Sequence, residues 1–285
     1  MKVDFREEFG RFDGASGVEI FYRKYTPPVA DVKASVVVVH GLGEHSGRYT
    51  NLFDVLLAAN YAVFAADHQG FGQSGGQRGH VAHFADYLPD VQHMVEMARA
   101  ERPHTPVIIF GHSMGGLIAL YHALEYPKVV DAYVISAPAL LASPNPWLVR
   151  AMRVLNLVRP TFVIRRPGDN TTISRDLEEV RRFDEDPLHV PVSSARWAVE
   201  ILKTQKLVSH RAAEIGVPIL MVQGMADQLV VPQATVDFFE HVSSADKTLY
   251  TYPGYYHELH NDLDKEKPLA DVVQWLDERV RGHRR

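Results

Sequence analysis

Four short, unbroken apolar runs set the strongest limit on how this chain can fold. Ser35 to Val39, Tyr61 to Ala66, Val107 to Phe110 and Pro218 to Val222 carry apolar side chains mostly at successive positions rather than at every second one. A strand of that kind is covered on both faces, as in a parallel sheet sandwiched between helices. Three further segments of strand length, Val18 to Tyr25, Ala132 to Ser136 and Thr248 to Tyr252, are rich in Val, Ile, Phe and Tyr. Between these runs lie stretches of helical period: Arg48 to Asn60, His83 to Arg102, Met114 to Tyr126, Pro232 to His241 and Lys267 to Arg281. The alternation predicts an α/β fold with a mostly parallel, doubly wound central sheet flanked by helices.

The rhythm stops once, from Leu141 to His210, where no convincing strand is legible. With 285 residues, enough for one full core, the expected organisation is a core domain from residues 1–141 and 211–285 with an insertion at 142–210. Inside the insertion Trp147, Leu148, Ala151, Met152, Leu155, Val158 and Phe162 recur at mostly three- or four-residue spacing, beside Arg150, Arg153 and Arg159. Two readings fit: an amphipathic helix packed on the main domain, or a lid that rests on a membrane surface.

Composition removes several classes of function. A hydrophobic fraction of 46% with 23% charged residues is ordinary for a globular protein, and a net charge of -5 without charge blocks gives no footprint for nucleic acid. The chain has no cysteine, so disulfides, thiolate metal sites and a cysteine nucleophile are out. Met1 to Glu8 lacks the apolar run of a secretory leader and no stretch is long enough to span a bilayer, which sets the expectation of a cytoplasmic protein. Oligomeric state is not legible.

The chemistry is concentrated in three loops. Val107 to Phe110 runs straight into Gly111-His112-Ser113-Met114-Gly115 and then a helical segment. Gly-x-Ser-x-Gly arises by composition in about one chain of this length in ten, but the strand before it and the helix after it are what a nucleophile elbow requires. Ser113 is therefore the expected nucleophile. Its partners should follow in the order carboxylate, then histidine. Asp227 stands just after the run Pro218 to Val222, and His257 just after Thr248 to Tyr252 and a Pro-Gly turn. Asp246 precedes its strand and Asp262 lies beyond the base, so both are weaker candidates for the carboxylate; His260 is the rival base. Two backbone amides must receive the negative charge of the intermediate. Met114 follows the nucleophile, and Leu42 sits in the glycine-flanked loop His40-Gly41-Leu42-Gly43 after an early strand.

Two decoys fall away. Gly70-Phe71-Gly72-Gln73-Ser74-Gly75 matches a dinucleotide fingerprint, but Gly76 to His80 follow where a helix should start. His257-Glu258-Leu259-His260 is one residue short of the zinc motif H-E-x-x-H. No metal or cofactor is expected.

Taken together, His40-Gly41-Leu42-Gly43-Glu44-His45-Ser46-Gly47-Arg48-Tyr49, Asp67 to Ser74, Gly111 to Gly116 and Tyr256-His257-Glu258 resemble the monoacylglycerol lipase family. The resemblance extends into the insertion at Ile173-Ser174-Arg175-Asp176 and Asp186-Pro187-Leu188. Phe71 departs from the histidine common at that position, which touches only local loop packing. The resemblance implies an α/β-hydrolase fold, a helical cap at 142–210 over an apolar acyl tunnel, and a lipid ester with one acyl chain as substrate. It further implies a polar pocket for glycerol, and Glu44, Arg48, His112 and His260 map onto family residues that line this pocket or order the oxyanion loop, with Glu44 and Arg48 equally suited to pairing with each other to hold the loop. Lysophospholipid or general carboxylester hydrolysis is the nearest alternative. A ligand receptor that retains the triad is more distant. A serine at the elbow argues against an epoxide hydrolase or dehalogenase, which need aspartate there.

Overall fold

A computed structural model describes residues 5–280 except 16, 30, 142–145 and 167–169. Residues 1–4 of the stretch read for a leader, the first residues of the expected insertion and Arg281 of the last expected helix lie outside the described residues. The strands are β1 Arg6–Asp13, β2 Glu19–Thr26, β3 Ser35–Val39, β4 Ala62–Ala66, β5 Val107–His112, β6 Ala132–Ser136, β7 Val163–Arg165, β8 Val192–Ser194, β9 Ile219–Gly224 and β10 Lys247–Tyr252. The helices are α1 Thr50–Ala58, α2 Tyr87–Glu101, α3 Met114–Glu125, α4 Pro146–Val158, α5 Leu177–Glu185, α6 Ala195–His210, α7 Pro232–His241 and α8 Glu266–Val280.

The main sheet runs in the order β1-β2-β4-β3-β5-β6-β9-β10. Every pairing from β4 through β10 is parallel, and only β1 and β2 at one edge are antiparallel. The valine run of β3 shows why the sheet reads as unbroken apolar sequence. Val37 and Val39 pack beneath α2 and α3, while Val36 and Val38 pack against α1 and α8 on the other face. Each fully buried valine contributes roughly 1.5–3 kcal/mol relative to exposure, so a polar residue anywhere along β3 is costly whichever face it meets. Because the strands run parallel, their carboxyl ends open onto one edge, where the loops after β3, β5, β9 and β10 gather.

Two features depart from the sequence reading. β1 was not expected: its residues Arg6, Glu7, Glu8 and Arg11 are those of a charged edge strand that buries no residue fully. The stretch 141–210 was expected to lack strands, yet β7 and β8 pair antiparallel, Val163 opposite Ser194. Three residues each, one of them Val-Ser-Ser, carry too little pattern to read. The apolar stripe in this stretch forms α4, which ends at Val158, so Phe162 lies past it. α4 packs against α6 but buries only Met152 fully, leaving Trp147, Val154, Leu157 and Val158 exposed. Among the described residues no helix is long and apolar enough to cross a membrane.

Candidate active site

Ser113 stands between β5 and α3 with φ 53° and ψ -118°, a conformation that a non-glycine residue holds only when its surroundings enforce it. They do so here through the backbone. Ser113 N–H donates to Ser136 O at 3.0 Å, and its carbonyl accepts from Leu117 N at 3.1 Å and Ala139 N at 2.9 Å. The turn also brings α3 hard against β3: a Cβ on Gly115 would stand 2.5 Å from His40 O and closer still to Val39 O. Only glycine fits there, which is the physical content of the last glycine in the motif.

The parallel pairing of β9 with β10, with Gly224 opposite Tyr252, lays the two following loops side by side. Met225 N donates to Tyr252 O and Ala226 N to Tyr255 O, both at 3.0 Å. His257 Nδ1 thereby reaches Asp227 Oδ2 at 2.6 Å. The carboxylate is itself held, with Oδ1 accepting from Leu229 N at 2.8 Å and Val230 N at 3.1 Å. Burial by itself would raise the Asp227 pKa, but the His257 charge and hydrogen bond, with the two amides, hold it below the usual carboxylate value. Burial likewise works to lower the His257 pKa, and Asp227, with Glu258 and Glu44, overrides it so that the imidazole titrates above its ordinary value. A proton on Nδ1 leaves Nε2 as the basic atom.

The other aspartates do different work. Asp246 is ion-paired with Arg279, and its carbonyl accepts from Ile219 N at the opposite end of β9. Asp262 receives Arg175 Nε and Tyr256 N, both at 3.0 Å, tying the insertion to the loop that carries His257.

Ser113 and His257 line one cavity of about 620 Å³, together with Leu42 and Met114. No hydrogen bond joins the Ser113 hydroxyl to a described residue; contacts of this kind tighten when substrate fills the site. The Leu42 and Met114 amides likewise donate to no described residue. Around Leu42 the loop is clamped on both sides of Gly41. His40 Nδ1 donates to Gly41 O at 2.7 Å, while His40 Nε2 accepts from His68 N at 2.9 Å. Burial pushes the His40 pKa down to about 3, so this tautomer stays neutral. Because a trans peptide points its carbonyl and amide in opposite directions, the bond to Gly41 O also fixes the direction of Leu42 N–H. On the other side Gly41 N donates to Glu44 Oε1 at 2.5 Å.

Much of the remaining wall is apolar, with Leu148 and Met152 of α4, Trp197, Ile201 and Leu202 of α6, and Val230, while Arg165, Arg166, Asp184, Asp186 and Glu258 bring charge to it. The α6 contribution was not legible in the sequence, because the buried face of that helix also carries Glu200, Thr204 and Gln205. Among the described residues no group of three His, Asp or Glu side chains is set to hold a metal ion.

A family model described as serine aminopeptidase, S33, matches residues 30–264. The chain is 36% identical over 272 residues to the monoglyceride lipase of Homo sapiens, covering 93% of this chain and 89% of that one. It is 35% identical over 268 residues to the monoacylglycerol lipase of Mycolicibacterium smegmatis, covering 93% and 95%. The chain belongs to the serine aminopeptidase S33 family, among its monoacylglycerol lipases. In three dimensions it superposes on a soluble variant of the Saccharomyces cerevisiae monoglyceride lipase, solved with a substrate analog, with a TM-score of 0.86, 25% identity and coverage of 95% and 94%. The fold is that of the α/β-hydrolases.

Within this lipase-family site the four residues mapped to a polar pocket divide. Glu44 and His112 line the cavity, whereas Arg48 and His260 do not. Arg48 lies behind Glu44, its Nη2 2.8 Å from Glu258 Oε2 and its Nε 3.6 Å from Glu44 Oε2. Glu44 also accepts from Tyr49 Oη at 2.6 Å. Burial, reinforced by the neighbouring Glu258 charge, raises the Glu44 pKa to about 7. His260 stacks on Tyr49 with ring centroids 4.7 Å apart, and burial lowers its pKa to about 4. His112 packs 4.7 Å from the His257 ring, and burial, with the two neighbouring histidines, keeps it neutral.

Proposed function

We infer that the chain is a carboxylic ester hydrolase that cleaves monoacylglycerols to fatty acid and glycerol through an acyl-enzyme. The observation that carries this reading is the convergence, on one largely apolar cavity, of Ser113, the His257–Asp227 pair and two amides without partners among the described residues, those of Leu42 and Met114. His257 Nε2 takes the Ser113 proton as Oγ attacks the acyl carbonyl, and Asp227 fixes the tautomer and stabilises the imidazolium. The carbonyl oxygen gains negative charge, which the Leu42 and Met114 amides and the amino end of α3 receive. The tetrahedral intermediate expels the glycerol oxygen, which takes the proton from His257. Water, deprotonated by His257, then attacks the acyl-serine, and the fatty acid leaves. The relatives named monoacylglycerol and monoglyceride lipases support a substrate with one acyl chain.

The segment 142–210 acts in this reading as a cap, with residues 1–141 and 211–285 as the core domain. Its helices α4 and α6 wall the acyl-binding side of the cavity. The outer face of α4 presents Trp147 (76% exposed), Leu157 (82%) and Val158 (71%) beside Arg150 and Arg153. An apolar stripe with a cationic border suits peripheral contact with a lipid surface, from which an insoluble substrate would enter.

Labelling with a fluorophosphonate tests the nucleophile: the wild-type chain should react and Ser113→Ala should not. Labelling that survives the substitution refutes the assignment. An ester panel varying acyl length and head group, with product detection, tests the substrate class.

A further inference from the structure

The cavity wall carries two cations that the mechanism above does not use, the exposed Arg165 and the anchored Arg166. Arg166, directly after β7, lines the cavity with Leu42, Glu44 and Ser113. Its guanidinium is anchored: Nη1 donates to Val192 O at 2.7 Å and to Ser193 Oγ at 3.0 Å, and Nη2 donates to Val190 O. All three acceptors are neutral. Of the five N–H groups of an arginine, Nε–H and one on Nη2 are left with no acceptor among the described residues.

No described carboxylate balances this charge. Arg48, by contrast, is paired with Glu258. The acids that face the same cavity are engaged elsewhere: Glu44 by Gly41 and Tyr49, Glu258 by Arg48 and Asn261, Asp186 by His45, and Asp184 by Asn170. Burial draws the Arg166 pKa down to about 10, which still leaves a full cation at neutral pH. Withdrawing a cation from water without a counter-ion is unfavourable, and an anion arriving in the cavity offsets that cost.

Its position says what sort of anion. Val190 N donates to Gly43 O at 2.8 Å, and a Cβ on Gly43 would collide with Arg166 Nη2. The guanidinium therefore lies against the oxyanion loop, one residue or about 3.8 Å of Cα trace beyond Leu42. A glycerol whose ester carbonyl meets the Leu42 amide can reach that point with its far end.

We propose that Arg166 is an anion subsite, and that this cavity takes single-chain lipids with a phosphate on the glycerol, that is lysophospholipids, alongside neutral monoacylglycerols. The proposal rests on the ester-hydrolase reading and adds a substrate class to it. A planar fork with free N–H groups matches two oxygens of a phosphate. The carboxylate of the released fatty acid has the same chemistry and is the other source to separate.

The test compares 1-acyl-glycerol 3-phosphate with the monoacylglycerol of equal chain length. Passing from wild type to Arg166→Gln, the ratio of kcat/KM for the phosphate lipid to that for the neutral lipid should fall about ten- to hundredfold, mostly through KM. Arg166→Lys should fall in between. An unchanged ratio overturns the proposal. Wild-type chain alone gives a second measurement: dodecyl phosphate should inhibit hydrolysis of a soluble ester at least tenfold more strongly than dodecanol, and equal inhibition overturns the proposal. If dodecanoate inhibits in an Arg166-dependent way while the phosphate lipid is not hydrolysed, the anion is the product carboxylate and the lysophospholipid claim falls. Calorimetric titration of dodecyl phosphate into Ser113→Ala reads the subsite without turnover. Arg166-dependent binding there, with no hydrolysis of any lipid ester by the wild-type chain, would sink the hydrolase reading and leave the subsite standing.

Discussion

The loops at the carboxyl edge of the sheet and the outer face of the insertion are built on opposite terms. At the sheet edge the groups around the reacting positions are tied down: Asp227 accepts from two amides and pairs with His257, and the Gly41 amide and carbonyl are each held by a side chain. On the outer face of α4, by contrast, Leu157 and Val158 stand in the open. The first region spends burial and hydrogen bonding on fixing directions, as catalysis requires. The second leaves apolar area exposed, as the proposed contact with a lipid surface requires.

Substitutions can break or sharpen this contrast. Asp227→Asn should lower kcat by about 10³- to 10⁴-fold, since the amide no longer enforces the tautomer, with the fold retained by circular dichroism. The same variant should move the pH profile. Asp227 raises the His257 pKa, and the base must be neutral to act, so the acidic limb of kcat/KM lies above pH 6.5 in the wild type and shifts downward in Asp227→Asn. A limb that stays in place would show that His257 is not the titrating base.

A smaller loss is expected at the loop that carries Leu42. His40→Ala frees the peptide that carries Leu42 N–H and should cost up to about 10²-fold in kcat, with KM for a soluble ester less affected. Glu44→Gln keeps an acceptor for Gly41 N–H and should be milder than Glu44→Ala; equal losses would mean that the charge of Glu44, not its hydrogen bond, matters. The weakest effect on stability belongs to the insertion. Val158→Asp should change unfolding free energy by within about 0.5 kcal/mol, yet reduce sedimentation with anionic vesicles more than it reduces hydrolysis of a soluble ester. Parallel losses in both would point to disturbed packing of α4 against α6.

Legibility in the sequence followed the same division. Strands covered on both faces wrote themselves as unbroken apolar runs, so β3, β4, β5 and β9 were plain, while β1, with its row of charges, gave no signal. In the insertion α5 is mostly charged, with ion pairs such as Arg181–Glu178 and Arg181–Glu185 along its surface, and only Val180 and Phe183 mark its buried apolar side. α6 hid for the opposite reason. Its buried face includes Gln205, whose amide donates to Ala139 O at 2.8 Å, so an apolar period was never complete.

By itself the sequence determined the order of elements and the order of chemical groups, since strand patterning and a strained elbow are local requirements written in adjacent residues. Tertiary structure alone decided how closely Asp227 meets the imidazole, which peptide His40 clamps and that Arg166 is anchored in the cavity wall. Those outcomes depend on the register between β9 and β10 and on the path of the chain after β7, where a shift of one ångström makes or breaks a hydrogen bond. Long-range packing sets such distances, and no short stretch of residues encodes it.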